Sequence, residues 1–428
     1  MGKYRYVCPT TTTKDANSPA VAAAAAAAAS SSSSSSTDTA ECMRAMTKLR
    51  GYDFFNAIGA PKRVVAPMVD QSELAFRMLC RQHGAELCYT PMFHSRLFTE
   101  NAEYRARMFE QHMKDRPLIV QFCGNDPKVV LEAAKHVEAH CDAVDLNLGC
   151  PQGIARKGRY GSFLMKEKDV VREIVQTLSD NLSVPVTVKI RIFPDEQETL
   201  EFCDMLQAAG ADLLCVHGRT KEMNKTAVEE CDWDIIRRIK QRMKIPVLAN
   251  GGIEVPADVQ RCLDHTQADG VMSSEAILEN PALFAATHND PCPRDGQEPT
   301  ISYVELAQQY IECAKEYPPT NDKIVRAHLF KILFQDLRTH TDLRSALGSV
   351  RTREAIYDVV AQLAARVAAA KTDPSLPQAE YAPETTWYRR HRRGQEKLKR
   401  LREEAEQTAD KRATPADNTP SAAAAANE

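Results

Sequence analysis

Short apolar runs alternate with longer amphipathic stretches along the middle of the chain. The eight runs that we interpret as strands are residues 63–66, 87–90, 118–122, 143–147, 186–192, 213–217, 247–250 and 270–273. The stretches with helical spacing of apolar residues include 72–83, 127–139, 169–178, 199–209 and 257–264. Continuous apolar strands separated by helices predict an α/β protein whose parallel sheet is buried on both faces.

The number of strand–helix units predicts how this sheet closes. Eight units between residues 55 and 290 match a (β/α)8 TIM barrel in number and size. A doubly wound open sheet is the alternative, and it normally carries a G-x-G-x-x-G turn after its first strand. Here the first strand ends in Ala66-Pro67-Met68 instead.

The flanks of the predicted barrel have a different character. Residues 303–317, 323–338 and 353–370 show only helical spacing, so we expect a small all-helical C-terminal domain over residues 300–372, reached through a proline-containing linker. Residues 1–45 contain an alanine run and a serine run, and we expect a disordered low-complexity leader. Residues 385–428 are first basic and then polar and alanine-rich, which predicts a second disordered tail.

Composition excludes several classes of protein. The 13 cysteines are scattered without a C-x-x-C pair, so we expect neither a metal site nor a disulfide framework. This usage favours a reducing compartment, and we expect the cytoplasm, with the nucleus as a second location. No ordinary apolar run approaches the roughly 18 residues of a membrane span. The formal net charge of -3 says little, because the charge is unevenly distributed.

Polar residues collect at the carboxyl ends of the predicted strands, where TIM barrels place their reactive side chains. They are Gln121, Asn147, Lys189, Arg191, His217, Arg219, Asn250, Ser274 and Glu275. Lys189 lies in an apolar strand, and we favour a cation facing a bound anion over one whose head reaches the rim. Gln121, Asn147 and His217 also admit a simpler interpretation as turn or rim residues.

A second feature of the same edge is glycine. Gly251 and Gly252 follow strand seven, and with the turn and helix after strand eight they suit a phosphate, which backbone N–H groups and a helix N-terminus would bind. A pair of glycines is weak evidence, since any tight turn uses them.

Cys150 follows strand four in the segment Asn147-Leu148-Gly149-Cys150-Pro151. A thiol in a tight turn at the mouth of a barrel is placed to give or take a proton. The alternative is a small buried residue in a turn. A thiol with an ordinary pKa of about 8.5 is mostly protonated at neutral pH, so it can act as a general acid without a metal.

Several ordered motifs between about residues 60 and 340 resemble the tRNA-dihydrouridine synthases. They are residues 65–70 (VAPMVD), 88–92 (CYTPM), 121–122 (QF), 145–151 (DLNLGCP), 188–191 (VKIR), 216–220 (VHGRT) and 249–251 (ANG). Residues 70–75 (DQSELA) and 87–92 make the eukaryotic type that modifies neighbouring D-loop uridines the most similar.

The resemblance implies an oxidoreductase that binds FMN and reduces the uracil C5=C6 bond in folded tRNA with NADPH or NADH. It implies that Ala66, Pro67 and Met68 present backbone to the flavin and that Gln121, Asn147, Lys189 and His217 contact it. Asn250, Gly251, Gly252, Ser274 and Glu275 would surround the phosphate. Cys150 would be the proton donor.

The chain departs from the pattern of this family at three places. Gly252 stands where many relatives have an acidic or amide residue, and Ser274-Glu275 replaces a common Gly-Arg pair. We expect the backbone to bind the phosphate there while Glu275 points away. Residues 221–230 also lack a glycine that is usual in that loop.

A tRNA partner requires spread positive charge. The candidate RNA contacts are Arg156, Lys157 and Arg159 after the cysteine turn, Arg191 and Arg219 at the mouth, Arg326, His328 and Lys331 on a C-terminal helix, and Arg389, Arg390, Arg392 and Arg393 in the tail. Ordinary solvated surface charge is the alternative for the helix and the tail. We expect a monomer.

Two other functions compete with a flavin-dependent tRNA reductase. The first is an FMN oxidoreductase that acts on a free dihydropyrimidine-type small molecule, which would need neither a helical domain nor a basic tail. The second is an RNA-binding protein that kept the barrel without its chemistry, and such a protein would bind tRNA but be colourless.

Overall fold

A computed structural model describes residues 48–224, 229–285 and 301–379 of the protein. Within these residues every strand runs parallel to its neighbours. The strands are β1 (Arg63–Val65), β2 (Leu87–Tyr89), β3 (Phe93–His94), β4 (Leu118–Cys123), β5 (Ala143–Leu148), β6 (Val186–Arg191), β7 (Leu213–His217), β8 (Val247–Asn250) and β9 (Gly270–Ser273).

The sheet closes on itself. β1 pairs with both β2 and β9, and β2 also pairs with β4, so eight strands form a ring. β3 is a two-residue addition beside β4 and was not predicted. The predicted TIM barrel is therefore confirmed, each predicted strand agrees to within one residue at its ends, and the open sheet is excluded.

Alternate residues along each strand face the barrel interior. Val64, Leu87, Ile119, Ala143, Leu213, Leu248 and other residues near the amino ends form one interior cluster. The residues between them, such as Val120, Val144 and Val188, belong to the larger cluster that packs against the surrounding helices. This two-residue alternation follows from the pleat of a strand.

Helix α1 (Gly51–Ala57) closes the amino-terminal end of the barrel. Its buried residues Phe54 and Phe55 belong to the interior cluster. Arg50, which precedes the helix, donates to Asp212 Oδ2 at 3.2 Å and to Ser179 Oγ at 2.8 Å. With this end filled by side chains, the carboxyl ends of the strands are left to form the mouth.

The helices around the barrel are α2 (Leu74–Gln82), α3 (Ser95–Glu100), α4 (Ala102–Met108), α5 (Pro127–Lys135), α6 (Gly153–Gly158), α7 (Lys168–Asn181), α8 (Glu196–Ala208), α9 (Trp233–Arg242), α10 (Pro256–Thr266) and α11 (Glu275–Glu279). Two 3₁₀ helices, Glu138–His140 and Gly161–Lys166, lie among them. The predicted helix over 127–139 therefore ends early, and a separate 3₁₀ turn follows it.

Five helices follow the barrel within the described residues. They are α12 (Tyr303–Glu316), α13 (Asp322–Ile332), α14 (Phe334–Thr339), α15 (Thr341–Ser349) and α16 (Arg353–Thr372). The prediction of one helix over 323–338 is wrong, because the backbone leaves the helical conformation at Leu333, with ψ of 18°. Leu333 is fully buried, so packing decides the break. Helix α15 was not predicted.

The helical region packs directly on the barrel. Helix α12 contacts α2, and α13 contacts α11. The described residues from Lys48 onward group into one compact unit, so the predicted domain boundaries at 55–290 and 300–372 stay a prediction. The predicted leader (1–45) and the tail (385–428) lie outside the described residues.

Two further findings concern the described residues only. None of their helices combines the length and apolar character that crossing a bilayer requires. Their ten cysteines are free thiols, and eight of these are buried, as expected for small core residues.

Candidate active site

The interior of the barrel changes from apolar to polar toward the carboxyl ends of the strands. Parallel register places Gln121 beside Asp145, Asn147 beside Lys189, and His217 between Arg191 and Asn250. All these side chains are buried. The predicted polar residues of five different strands are therefore brought together at one mouth.

Cys150 lies in the turn after β5 and is partly exposed. Asn147 Oδ1 accepts from the backbone N–H groups of Gly149 at 3.1 Å and Cys150 at 3.0 Å. The Cys150 carbonyl in turn accepts from both the backbone N–H and the hydroxyl of Ser162. The turn is thus held from both sides, and Cys150 packs against a small buried cluster of Cys123, Ala155 and Tyr160.

Burial raises the pKa of the Cys150 thiol above its ordinary value, against an opposing effect of a backbone N–H group and of Arg191 and Lys189. A thiol with a raised pKa keeps its proton at neutral pH. The turn therefore presents a protonated, partly accessible acid at the mouth.

Arg191 supports the same turn from β6. Its Nε donates to the Gly149 carbonyl at 2.9 Å, and its Nη1 donates to the carbonyls of Thr220 at 2.8 Å and Met223 at 3.3 Å. Burial lowers the pKa of Arg191 to about 10, so it remains a cation. One guanidinium thus ties the cysteine turn to the loop after β7.

Asp145, for which the sequence predicts no role, lies below the cysteine turn and is fully buried. Its carboxylate accepts from Thr187 Oγ1 at 2.6 Å and from Gln121 Nε2 at 2.7 Å. Gln121 Oε1 accepts from Asn147 Nδ2 at 2.7 Å. The available signal was an acidic residue two positions before Asn147 in an apolar strand, where both side chains must face the same side.

Lys189 reaches across the barrel interior. Its Nζ donates to Asn250 Oδ1 at 2.7 Å, and Asn250 Nδ2 donates to the Met272 carbonyl at 3.0 Å. The acceptor is a neutral amide, and no carboxylate lies within salt-bridge distance of Nζ in the described residues. Burial lowers the Lys189 pKa, as expected where a cation lacks a closely paired anion.

His217 is held as a neutral imidazole. Burial lowers its pKa well below the ordinary value, and the charges of Arg191, Lys189 and Arg219 lower it further. Arg219 Nη1 lies 3.2 Å from His217 Nε2, and because a guanidinium only donates, Nε2 is the acceptor. The imidazole proton is therefore on Nδ1.

The ends of β1 and β8 supply backbone to the mouth. Ala66 N donates to the Ser273 carbonyl at 3.0 Å, and the Ser72 hydroxyl accepts from Met68 N at 3.0 Å. Pro67, between them, is partly exposed. Gly251 and Gly252 have φ of 99° and 77°, a region that favours glycine.

Space is also short at these two glycines. A Cβ on Gly251 would come within 2.8 Å of His217, and one on Gly252 within 3.0 Å of Trp233. The backbone therefore passes this close to His217 and Trp233 only because both residues lack a side chain.

Ser274 and Glu275 lie at the start of α11. The Ser274 hydroxyl donates to the Glu275 carboxylate. Burial lowers the pKa of Lys189 and of Arg191, and the charge of Glu275 opposes that shift at both. Glu275 thus lies near the cations of the mouth, and its orientation away from a phosphate stays a prediction.

These residues fit an anionic cofactor such as FMN. The mouth holds a buried lysine paired only with a neutral amide, a glycine backbone that a Cβ would obstruct, and a buried Ser273 hydroxyl without a partner in the described residues. Within the same residues, no group of three His, Cys, Asp or Glu side chains is arranged to hold a metal ion.

The model of the dihydrouridine synthase (Dus) family matches residues 64–372, which span the barrel and the C-terminal helices. The chain belongs to the dihydrouridine synthase family. This confirms the resemblance that the ordered motifs indicated.

Curated relatives of this dihydrouridine synthase fall into two groups, whose names contain either 16/17 or 20a/20b. A rat protein named tRNA-dihydrouridine(16/17) synthase-like is 46% identical over 318 residues, covering 73% of this chain and 69% of its own. A Schizosaccharomyces pombe tRNA-dihydrouridine(16/17) synthase is 44% identical over 334 residues, covering 76% and 82%. A human tRNA-dihydrouridine(20a/20b) synthase-like protein is 38% identical over 232 residues, covering 54% and 72%. The names of all three include NAD(P)(+) or NAD(P)+.

The predicted RNA contacts of this synthase occupy different settings. Arg156 and Lys157 on α6 are exposed, whereas Arg159 is exposed but paired with Glu167 at 2.9 Å. Arg191 and Arg219 are buried, and their guanidinium groups bond to protein atoms. The contacts of these two arginines indicate that they hold loops at the mouth.

The predicted RNA contacts in the C-terminal region also differ in burial and in their partners. His328 is wrong as a surface contact, because it is fully buried against the barrel. Arg326 donates to the Val350 carbonyl at 2.6 Å. Lys331 is partly exposed, and burial lowers its pKa to about 8 against the charges of Glu73, Glu279 and Glu275. The four tail arginines, 389, 390, 392 and 393, lie outside the described residues.

Proposed function

We propose that this protein is a tRNA-dihydrouridine synthase that reduces the C5=C6 bond of specific uridines in the tRNA D-loop, with bound FMN and NADPH or NADH as reductant. The observation that carries the proposal is the partly exposed Cys150, held in a rigid turn at the mouth of a barrel of this family. The names of the rat and S. pombe relatives support the tRNA substrate.

The residues proposed to hold FMN are those of the polar mouth. Lys189, Gln121, Asn147 and His217 would face its ring system, and the backbone of residues 66–68 would border it. Asn250, Gly251, Gly252, Ser274 and Glu275 would surround its phosphate, mainly through N–H groups. When bound and reduced, FMN supplies a hydride for C6 of the uracil.

Cys150 then completes the reduction. Hydride addition at C6 leaves negative charge spread over C5 and O4, because the double bond is conjugated with the C4 carbonyl. The thiol proton of Cys150 neutralises this charge at C5. General-acid help of this kind is typically worth about 10² to 10⁴ in rate. Cys150 is partly exposed, so the thiolate can be reprotonated by solvent between turnovers.

The neutral state of His217 and the cations around it suit this chemistry. Lys189, Arg191 and Arg219 give the mouth positive charge, which stabilises an anionic cofactor and the enolate-like charge that develops on the base. Because His217 is a neutral imidazole with its proton on Nδ1, it offers a hydrogen bond without adding another charge.

tRNA must present an extruded base to this mouth, at a cost of a few kcal/mol that backbone contacts offset. Arg156, Lys157 and Arg159 follow Cys150 by six to nine residues and would meet phosphates next to the target nucleotide. Arg326, Lys331 and the basic tail would contact the body of the tRNA. Deleting residues 385–428 should weaken tRNA binding and leave flavin reduction by NADPH intact.

The deciding experiment compares substrates for the purified flavin-containing protein. With NADPH in excess, unmodified tRNA should be reduced much faster than free uridine, and nucleoside mass spectrometry should place the product in the D-loop. A preference for free uridine or a free dihydropyrimidine would support the small-molecule oxidoreductase instead. A colourless protein that binds tRNA without reducing it would contradict both.

A further inference from the structure

The hydrogen bonds beneath Cys150 all point in one direction. The N–H groups of Gly149 and Cys150 donate to Asn147, Asn147 donates to Gln121, and Gln121 donates to Asp145. Thr187 donates to the second oxygen of Asp145. These bonds form one hydrogen-bonded chain, and the carboxylate of Asp145 is the acceptor at its end.

The orientation of the two amides in this chain follows from chemistry. A backbone N–H group can only donate, so Asn147 must turn its oxygen toward the cysteine turn. Its amide nitrogen then faces Gln121, which must accept with Oε1 and donate with Nε2. Only an acceptor can stand at the far end, and an ionised carboxylate has no proton to offer.

The opposite orientation would keep the bond between Gln121 and Asn147 but break the links at both ends. If Gln121 turned its oxygen toward Asp145, two acceptors would face each other in the buried interior. Its nitrogen would then require the oxygen of Asn147, and the Asn147 amino group would face the N–H groups of the cysteine turn. Buried polar groups left without partners are costly, so the N–H groups at one end and the Asp145 carboxylate at the other both favour the same orientation of the two amides.

We infer that Asp145 is a positioning residue for the proton donor: through Gln121 and Asn147, its carboxylate fixes the backbone of the turn that carries Cys150. The side-chain hydrogen bonds of Asp145 within the described residues come from Gln121 and Thr187, so it reaches the cysteine turn only through the two amides. The same arrangement leaves Gln121 with one N–H and one lone pair outside the chain. This inference rests on the proposed function, because it takes Cys150 as the acid.

The charge state of Asp145 is consistent with this role. Burial raises its pKa to about 6, while the hydrogen bonds of Thr187 and Gln121 and the charge of Lys189 oppose the shift. The other titratable groups that respond to its charge are Tyr89 and Cys215, whose own pKa values burial raises. At neutral pH, Asp145 is therefore mostly ionised and able to accept from Gln121.

The first test compares Asp145→Leu with Thr187→Val in the full-length, flavin-containing protein. Asp145→Leu removes the acceptor at the end of the hydrogen-bonded chain. Thr187→Val removes only the Thr187 hydroxyl that donates to Asp145, and the hydrogen bonds from the cysteine turn to Asp145 keep their direction. In Asp145→Leu, oxidation of the reduced flavin by tRNA should slow by about 100-fold, as expected for a misplaced reacting group. Flavin reduction by NADPH should change far less. Equal slowing of both half-reactions would overturn the inference.

A double-mutant cycle separates positioning from a general structural effect. If Asp145 acts through the cysteine turn, Asp145→Leu should slow the tRNA step in the wild-type background but add little to Cys150→Ala. An equal loss in both backgrounds would show that Asp145 acts elsewhere, and the inference would fail.

A spectroscopic test requires no turnover. In protein labelled with ¹⁵N-cysteine, the Cys150 amide resonance is the one that Cys150→Ala removes. It should shift upfield in Asp145→Leu, because Asn147 is no longer held with its oxygen toward the Cys150 N–H group, and stay in place in Thr187→Val. An unchanged resonance in Asp145→Leu would overturn the inference. If instead Cys150→Ala reduced tRNA at the wild-type rate, the proposed acid would be wrong, while the amide shift would still report on Asp145.

A charge-relocation pair answers the same question if Asp145→Leu does not fold. Asp145→Asn puts an amide at position 145, which can donate or accept, so the hydrogen bonds could run in either direction. Asp145→Asn with Gln121→Glu moves the carboxylate from position 145 to position 121. The carboxylate at position 121 would still accept from Asn147, so the Cys150 amide resonance should return to its wild-type position. Identical resonances in wild type, single and double variants would contradict the inference.

Discussion

The carboxylate of Glu73 lies 3.0 Å from Nε2 of His328, although 255 residues separate them in the chain. Glu73 precedes α2 of the barrel, and His328 is in α13. Tyr310 of α12 donates to the other Glu73 oxygen at 2.8 Å, and Phe76 stacks on the His328 ring with centroids 4.4 Å apart. One buried carboxylate therefore joins the barrel to two C-terminal helices.

The first prediction concerns this junction. Burial alone would raise the Glu73 pKa, but His328 and Tyr310 hold it below its ordinary value of 4.5. Glu73→Gln should lower the free energy of unfolding at pH 7 by about 2 kcal/mol, as for a charged hydrogen bond lost from a buried site. Urea unfolding followed by circular dichroism measures the difference.

The lowered pKa of Glu73 also determines how the free energy of unfolding depends on pH. A lowered folded-state pKa stabilises the protein above the unfolded pKa, and this contribution is lost as the pH falls through the folded pKa. The difference in the free energy of unfolding between wild type and Glu73→Gln should therefore become smaller below about pH 4.5. Glu312→Gln, which removes an exposed ion pair with Lys315, is the control and should have little effect. An equal decrease in the free energy of unfolding in Glu73→Gln and Glu312→Gln would show that Glu73 does not stabilise the junction.

The second prediction concerns the proposed acid. Cys150→Ala should keep the bound flavin and its reduction by NADPH, while oxidation of the reduced flavin by tRNA falls about 10²- to 10⁴-fold. Stopped-flow absorbance of the flavin follows both steps separately. Cys313→Ala, a buried thiol in α12, should leave both rates near wild type. Oxidation of the reduced flavin by tRNA at the wild-type rate in Cys150→Ala would place the acid elsewhere.

The third prediction is the pH profile of the tRNA step. The rate should fall on the acid side near pH 6, where Asp145 becomes protonated and ceases to be a pure acceptor. It should fall on the alkaline side only above the ordinary range of thiol pKa values, because burial raises the pKa of Cys150. Thr187→Val should move the acid limb upward, since it removes a hydrogen bond that lowers the Asp145 pKa. An acid limb at the same pH in this variant would assign that limb to another group.

The fourth prediction concerns Arg191. Arg191→Lys keeps a cation but loses the fork that bonds the carbonyls of Gly149 and Thr220 at once. The tRNA step should slow by about 100-fold through misplacement of the cysteine turn, with NADPH oxidation much less affected. Arg242→Lys, at an exposed pair with Asp204, is the matched control. Equal rates for Arg191→Lys and wild type would remove the support proposed for this turn.

The fifth prediction concerns tRNA binding. Arg156→Gln combined with Lys157→Gln should weaken tRNA binding and reduce the slope of log affinity against log salt by about two, one for each lost phosphate contact. Filter binding at several salt concentrations measures this slope. Lys62→Met is the control, because Lys62 precedes β1 and lies at the opposite end of the barrel. A slope that changes equally in both variants would reject a specific contact near Cys150.

Lys331 can be tested in the same assay. It is the one C-terminal candidate in the described part of the chain that is partly exposed and has no hydrogen bond to protein. Lys331→Met should reduce the slope by about one.

The amino-acid sequence by itself determined the strands and the mouth. Strands of a parallel barrel are buried on both faces, so they stand out as uninterrupted apolar runs, and their carboxyl ends mark where Cys150, Lys189 and His217 must gather. The motifs around these residues also indicated the family. All of this is local, because each feature depends on residues next to one another in the chain.

Only the tertiary structure decided which groups meet. Helical spacing placed Arg326, His328 and Lys331 on one helix, but it could not say that His328 would turn into the barrel and pair with Glu73. An apolar strand does not reveal which partner its single acid finds, so the convergence of Gln121, Asn147 and Thr187 with Asp145 depended on the register of three neighbouring strands. Contacts between distant segments depend on packing and register, which the local pattern of residues does not specify.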